Sequence, residues 1–492
     1  MLFYLSLLPA LAVGAVFSRS TSASFDLEEV FGSELSSEAE IFYPSWSNWT
    51  DNVQQRWTDY QAPTYLGAIK VATVADIQST VKLANSHNVS FLATAGGHGI
   101  ASTFAKAQNV IDIDLSNFRY INIDKSGDSA TIGGATTFGQ MWEVLYENGK
   151  ELQTGTAECV GSVGATLGAG IGPLQGHRGL VVDALQSVKL VTATGDLVTA
   201  SKTENSDLFW GMRGAGWNFG IVVEATYEIY DYTNNGMVLE GDMLFPASAN
   251  QSVWELLKGF DDDLPAKLAM TFTLSYNSEA NATNIMVTFT YYGERSDIES
   301  YIKPFQDLEP TKSNFTSVPL PKLYSALFFA NTGVACTKNN HLFSGGAAVR
   351  EIDVDTFVEY TNRFASFWPQ YPGVSPALVI SRFPNDAVVA VPDDETAYPY
   401  RDIKTHLYFE ETFPDDTSMN SVVYDFLVES RDHFTKTSGY DSLTLYNNYA
   451  HGDEGPEVLY TAKKLPRLSQ LKRKWDPNER FSFYNPVPLN YP

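Results

Sequence analysis

The residue best placed to do chemistry stands in a loop almost too small to pack around it. In "FLATAGGHGIAST", Phe91 to Thr103, one imidazole, His98, lies among Gly96, Gly97 and Gly99 at the end of an apolar run. A side-chain-poor loop after a strand lets the backbone approach a bulky anionic group, whose charge is met by free N–H groups. The loop is no Walker motif, because Gly-Lys-Ser/Thr is absent, and no Rossmann fingerprint, because G-x-G-x-x-G is absent. Alone, Gly-Gly-His reads equally well as a turn with an exposed histidine. Two further stretches change the balance. "TGTAECVGSVGATLGAGIGPLQGHRGL", Thr154 to Leu180, carries Gly155, Gly161, Gly164, Gly168, Gly170 and Gly172, and "WGMRGAGWNFGIVVEATYEI" follows. Three such walls suit a large flat cofactor with a phosphate tail.

Other candidates are weaker. In "LYNNYAHG" a strand period sends Tyr446 and Asn448 to one face. A phenol with a pKa of about 10 needs help to act as a base. His177, His406 and His451 have no clear partner and read as structural or surface residues. No His/Cys cluster has metal-ligand spacing, so no metal is expected. Cys159 and Cys336 are the two cysteines of the chain, too few for a disulfide framework, and their pairing is left open.

The elements that must hold these residues alternate between helix and strand. "YLGAIKVA" reads as a strand and "TVADIQSTVKLANSHN" as an amphipathic helix capped by Thr73. "VSFLATA", "NVIDIDLSNF" and "YINIDKSGDSATIGG" read as strands, and "TTFGQMWEVLYENG" as a helix ending at Gly149. "VDALQSVKLVTATGDLVTAS" predicts a hairpin turning at Thr-Gly-Asp. Near residue 235 the pattern changes to strands such as "AMTFTLSY" and "NIMVTFTYYG", with helices near 249–262, 295–307 and 354–369. That pattern predicts an antiparallel sheet backed by helices, within an α+β chain.

A chain of 492 residues with 44% hydrophobic residues can bury a large core. Its formal net charge of -25 argues against nucleic acid and anionic membranes as partners, since both call for clustered Lys and Arg. Residues 1–20 are apolar from Leu2 to Phe17 and read as a signal peptide cleaved between Gly14 and Ser24, although the segment opens without Lys or Arg. No later segment offers the roughly eighteen apolar residues of a membrane span. Secretion would make glycan acceptors of the sequons at Asn48, Asn88, Asn250, Asn281 and Asn314.

In combination and order these motifs carry a resemblance. The "GGH" loop, "VGATLGAGIG", "NSDLFWGMRGAGWNFGIV" and the closing "DPNERFSFYNPV" resemble FAD-linked oxidases of the vanillyl-alcohol-oxidase superfamily. The berberine-bridge-enzyme-like group is the best match. The resemblance implies a PCMH-type FAD-binding domain of two α+β subdomains over 40–235. A segment at 437–492 would complete it and enclose a substrate domain at 236–436. It implies FAD bonded through His98 to its 8α-methyl, with Thr94, Ala95, Gly96, Gly97, Gly99 and Ser102 beside it. Gly161, Ser162, Gly164, Gly168, Gly220, Ile221, Val222 and Asn485 would also touch the cofactor. The second, cysteinyl link of many members falls on Ala157, so one covalent bond is expected and Cys159 is read as a buried thiol.

Val160 falls at the family's oxygen gate, and Ala165 replaces a frequent flavin-facing histidine. Tyr446 and Asn448 are the implied catalytic pair. The helping carboxylate, counted back from "AYPYR", falls on Ala390, with Asp386 and Asp393 the nearest acids. The function implied is a secreted oxidase that passes hydride from a small molecule, by preference a secondary metabolite, to flavin and then to O2. An oligosaccharide oxidase and a flavin-holding non-redox cyclase are the alternatives.

Overall fold

The computed structural model describes residues 25–333 and 335–492. The expected signal peptide and its cleavage range lie outside the described residues.

The first sheet has four strands in the order Glu40–Phe42, Tyr65–Lys70, Val110–Asp114, Phe91–Thr94. The last three run parallel, so a crossover must join 65–70 to 91–94. That crossover is the helix Val74–Ser86, and Thr73 caps it as expected, in a reciprocal box with Asp76. The strand Phe91–Thr94 delivers the Gly-Gly-His loop at its C-terminal end. A second sheet is antiparallel, in the order Ile121–Ile123, Ser129–Gly133, Ile221–Glu228, Leu185–Val191, Leu197–Ser201. Its hairpin turns at Thr194-Gly195-Asp196, where Gly195 takes φ +81°.

The third sheet has seven antiparallel strands, ordered Lys312–Pro319, Met237–Pro246, Ala282–Tyr291, Leu268–Asn277, Ser375–Arg382, Thr405–Thr412, Leu342–Val349. One face carries Phe245, Phe272, Phe289, Leu407 and Phe409 into a core with Trp254, Phe305, Phe357 and Phe426. Those four come from the helices Asn250–Lys258, Glu299–Gln306, Val354–Phe367 and Thr417–Thr435. Each large apolar side chain buried there contributes about 1.5–3 kcal/mol. Period two sends Tyr408 and Glu410, which alternate with Leu407 and Phe409, to the opposite face.

After helix Thr417–Thr435 the chain returns to the first half. Asn485 O accepts from Asn218 Nδ2 and from the Tyr460 hydroxyl, and Val487 N donates to Asn218 Oδ1 at 2.8 Å. Lys472, in the helix Pro456–Trp475, is fully buried against Asp476 at 2.7 Å and also donates to Asn218 O. Two expectations need correction. The segment around Tyr446 is no strand but a turn with a short 3-10 helix, Asn447–Tyr449. The two cysteines are not free thiols: Cys159 and Cys336 form a disulfide with Cα atoms 5.6 Å apart.

Candidate active site

The glycine walls meet at His98. Gly96 lies against Gly161 so closely that a Cβ on it would fall 2.6 Å from Gly161 N. Gly97 takes φ +71°. Three carbonyls of the loop are tied down: Gly96 O accepts from Lys338 Nζ at 2.8 Å, Gly97 O from Trp57 N at 2.8 Å, and Gly99 O from Arg56 Nη2 at 2.7 Å. The His98 ring stacks on Trp57 at 5.3 Å, and its buried Nε2 has no hydrogen-bond partner. Burial first, then Lys338 and Arg56, pull its pKa down to about 3, so the imidazole is neutral near pH 7. Two cations thus flank the ring.

A cavity of about 470 Å³ runs from this loop to the face of the seven-stranded sheet. Thr94, Ala95, Gly96, Gly97, His98 and Gly99 line one side, and Val160, Gly161 and Gly164 another. Gly220, Ile221 and Val222 line it too. A Cβ on Gly164 would meet nothing within 4 Å, so that wall is open where a flat group could lie. Gly168 is a spacer, because its Cβ would fall 2.1 Å from Asn448 Oδ1. Four expected contacts, Gly168, Ser102, Ser162 and Asn485, lie outside the lining. Ser102 N donates to His451 O, Ser162 is buried, and Asn485 Nδ2 donates to Asn447 O at 2.9 Å.

At the sheet end the structure brings together Tyr446, Asn448, Tyr408, Tyr449 and Glu410. The Tyr446 hydroxyl accepts from Gly170 N at 3.0 Å and from Asn448 Nδ2, while Asn448 Nδ2 also donates to Ala165 O at 3.0 Å. Both lone pairs of the phenol are engaged, which leaves its own O–H to donate. Burial raises Tyr446 to about 12 against the effect of those hydrogen bonds, so it keeps its proton near pH 7. Glu410 was missed by counting. Burial alone raises it to about 7, the range in which a carboxylate can take a proton at neutral pH. A signal was present: "YFEET" puts two acids in an apolar strand.

The other candidates stand elsewhere. Asp386 and Ala390 are exposed, and the Asp393 carboxylate is held by Lys463 and Lys464 at 2.7 and 2.9 Å. His177 does not line the cavity, His406 is buried beside the Tyr446 ring, and His451 Nδ1 pairs with Ser344 O at 2.9 Å. Asn48, Asn88, Asn281 and Asn314 are exposed, whereas Asn250 is buried with its amide on Asn362 Oδ1. Among the described residues no group of three His, Cys, Asp or Glu could hold a metal ion, and no helix is long and apolar enough to cross a membrane.

Residues 65–201 match the FAD binding domain family, and residues 445–488 the berberine and berberine-like family. The FAD-linked oxidoreductase azaL of Aspergillus niger is 46% identical over 456 residues, 92% of this chain and 97% of that protein. The chain therefore belongs to the berberine-bridge-like FAD-linked oxidoreductases, and it is an enzyme of that class. Its fold is that of carbohydrate oxidase from Microdochium nivale, at TM-score 0.81 and 22% identity over 94% of this chain and all of the other. Glucooligosaccharide oxidase from Acremonium strictum, whose FAD is 6-S-cysteinyl and 8α-N1-histidyl, superposes at TM-score 0.80 with 20% identity, covering 95% of this chain and 100% of that one.

Proposed function

We propose that this FAD-linked oxidoreductase is a secreted oxidase of a small, partly apolar, hydroxylated metabolite, with its flavin tethered through His98. The orphaned, neutral His98 Nε2, the open wall at Gly164 and the mutually touching glycines fit a flat cofactor with a phosphate tail. Bound flavin supplies a hydride acceptor that passes its electrons to O2 as H2O2. The observation that carries the reading is Glu410, a half-buried carboxylate on the cavity wall with its pKa raised to about 7 by desolvation.

Glu410 takes the proton of the substrate hydroxyl as the carbon beside it gives up hydride. Tyr446 donates its O–H to the substrate oxygen and is held by Gly170 N and Asn448. Val160, small and on the cavity wall, leaves room for O2. Tyr408 and Tyr449 stand beside Glu410, and Val379, paired with Tyr408, and Ile171 also line the cavity. Oligosaccharide hydroxyls would call for a row of polar partners, and this surface favours a more apolar molecule. The disulfide is a bond of oxidising compartments and supports secretion.

The test is anaerobic addition of metabolites, alcohols and sugars. The expected outcome is flavin bleaching by a hydroxylated metabolite, recolouring in air, and one H2O2 per substrate. Turnover without bleaching points to the non-redox cyclase and defeats the oxidase reading, and bleaching by oligosaccharides alone defeats the substrate class. Denatured wild-type protein keeps its flavin fluorescence on a gel and His98→Ala loses it; free FAD after acid precipitation of wild type rules out the tether. Protein from the culture medium begins between residues 14 and 24, and an intact N-terminus in cell-retained protein defeats secretion.

A further inference from the structure

Residues 335–341 come from the half of the chain that builds the seven-stranded sheet, yet they bond to the His98 loop and to the residues beside it. Cys336 is bonded to Cys159, next to Val160 on the cavity wall. Asn339 N donates to Arg56 O at 2.9 Å, and Asn340 N to Trp57 O at 3.0 Å. Between these anchors Lys338 reaches Gly96 O. Arg56 holds Gly99 O from the other side. Two cations thus grip carbonyls two residues before and one residue after the histidine, while Trp57 holds the intervening carbonyl and stacks on the ring.

We propose that Lys338 is a positioning residue for attachment of the flavin to His98: it fixes the Gly96 carbonyl, aims the imidazole, and keeps a positive charge beside it. The inference rests on the reading that His98 carries the flavin. Attachment exchanges one C–H of the 8α-methyl and the imidazole N–H for a C–N bond. The two protons and two electrons set free pass through the flavin to O2, which becomes H2O2. Only the neutral ring has the lone pair that forms the new bond. A nearby ammonium disfavours the imidazolium through Coulomb repulsion in a partly dry site, and it lowers the His98 pKa together with burial and Arg56. Lys338 does not touch the reacting atoms; it acts through the loop and through charge.

The experiment follows flavin incorporation in the full-length chain made under riboflavin limitation and then given FAD. Samples are quenched in acid at intervals, protein-bound flavin is counted by fluorescence, and the flavinylated peptide is identified by mass. Non-covalent FAD affinity and melting temperature are recorded for each variant. Lys338→Gln keeps a hydrogen-bond donor and loses the charge; it is expected to attach flavin at least tenfold more slowly, with FAD affinity and melting near wild type. Lys338→Arg is expected to restore the rate to within threefold. A Lys338→Gln rate equal to wild type overturns the inference, as does a Lys338→Arg that melts like wild type but attaches as slowly as Lys338→Gln. A slow rate matched by an equal loss of non-covalent affinity also overturns it, since the role is then in binding. Covalent flavin in His98→Ala overturns the underlying reading and the inference with it, whereas a blank there beside equal lysine rates overturns the inference alone.

Discussion

Glu410 and Tyr446 have opposite working ranges. Tyr446, raised to about 12, keeps its proton throughout the physiological range, while Glu410 at about 7 changes state within it. A base must be ionised, so kcat/KM is expected to rise with pH below about 7 and level off above it. Glu410→Gln should lower kcat/KM by a factor of about 10²–10⁴ and abolish the rising limb; a pH profile that keeps the limb in this variant defeats the assignment. The residue was hidden by register. Counting back from "AYPYR" reaches Ala390, which is exposed, whereas the acid lies downstream on the strand Thr405–Thr412. Glu411 beside it is turned to the other face, where burial first and then Glu410 raise it well above the usual carboxylate range. Two adjacent acids in one buried strand mark both faces as special, but only pairing with Ala377 and Ser344 tells which one meets the cavity.

At the scale of elements, the walls were legible and the sheet only in part. Helix Val74–Ser86 with its cap and the 194–196 hairpin obey local rules, and they stand where those rules put them. The strand Met237–Pro246 breaks its apolar pattern with Glu240 and Asp242, which the sheet buries; burial and Asp242 raise Glu240 to about 9, so it enters the interior protonated. The strand Leu342–Val349 is hidden by Gly345 and Gly346. Their missing side chains admit Leu427 on one face and Tyr449 on the other, with Cβ positions 2.6 and 2.7 Å from those residues. The disulfide was beyond the sequence because its cysteines are 177 residues apart. Neither cysteine is the expected point of attachment, so reducing the mature enzyme should leave the flavin covalent. Cys336→Ser should loosen the segment that carries Lys338, slow the first incorporation of flavin and speed proteolysis near residue 336. Timed digestion with mass analysis checks this, and loss of bound flavin on reduction rules it out.

At the scale of the molecule, the C-terminal segment is fastened to the first half of the chain through Lys472, whose ammonium donates to Asn218 O and pairs with Asp476 four residues on. Lys472 and Asp476 are both fully buried, and Asp476 also accepts from Arg480 N at 2.8 Å and Phe481 N at 2.9 Å. Removing one partner leaves an uncompensated charge, so Lys472→Met should cost about 3–5 kcal/mol. Denaturant unfolding reads that directly; a change under about 1 kcal/mol would show that the remaining hydrogen bonds suffice. The closing motif "DPNERFSFYNPV" was visible in the sequence, but its task as a clamp on Asn218 depends on contacts more than 250 residues apart. That distance also sets a clock. His98 emerges early from the ribosome, whereas Tyr446, Asn448 and Tyr484 on the same cavity wall emerge near the end. At about 5–20 residues per second the loop waits tens of seconds for the last wall. A complete cofactor pocket is therefore expected only once the last wall has left the ribosome, so that flavin supply at the place of folding should set the fraction of holoenzyme.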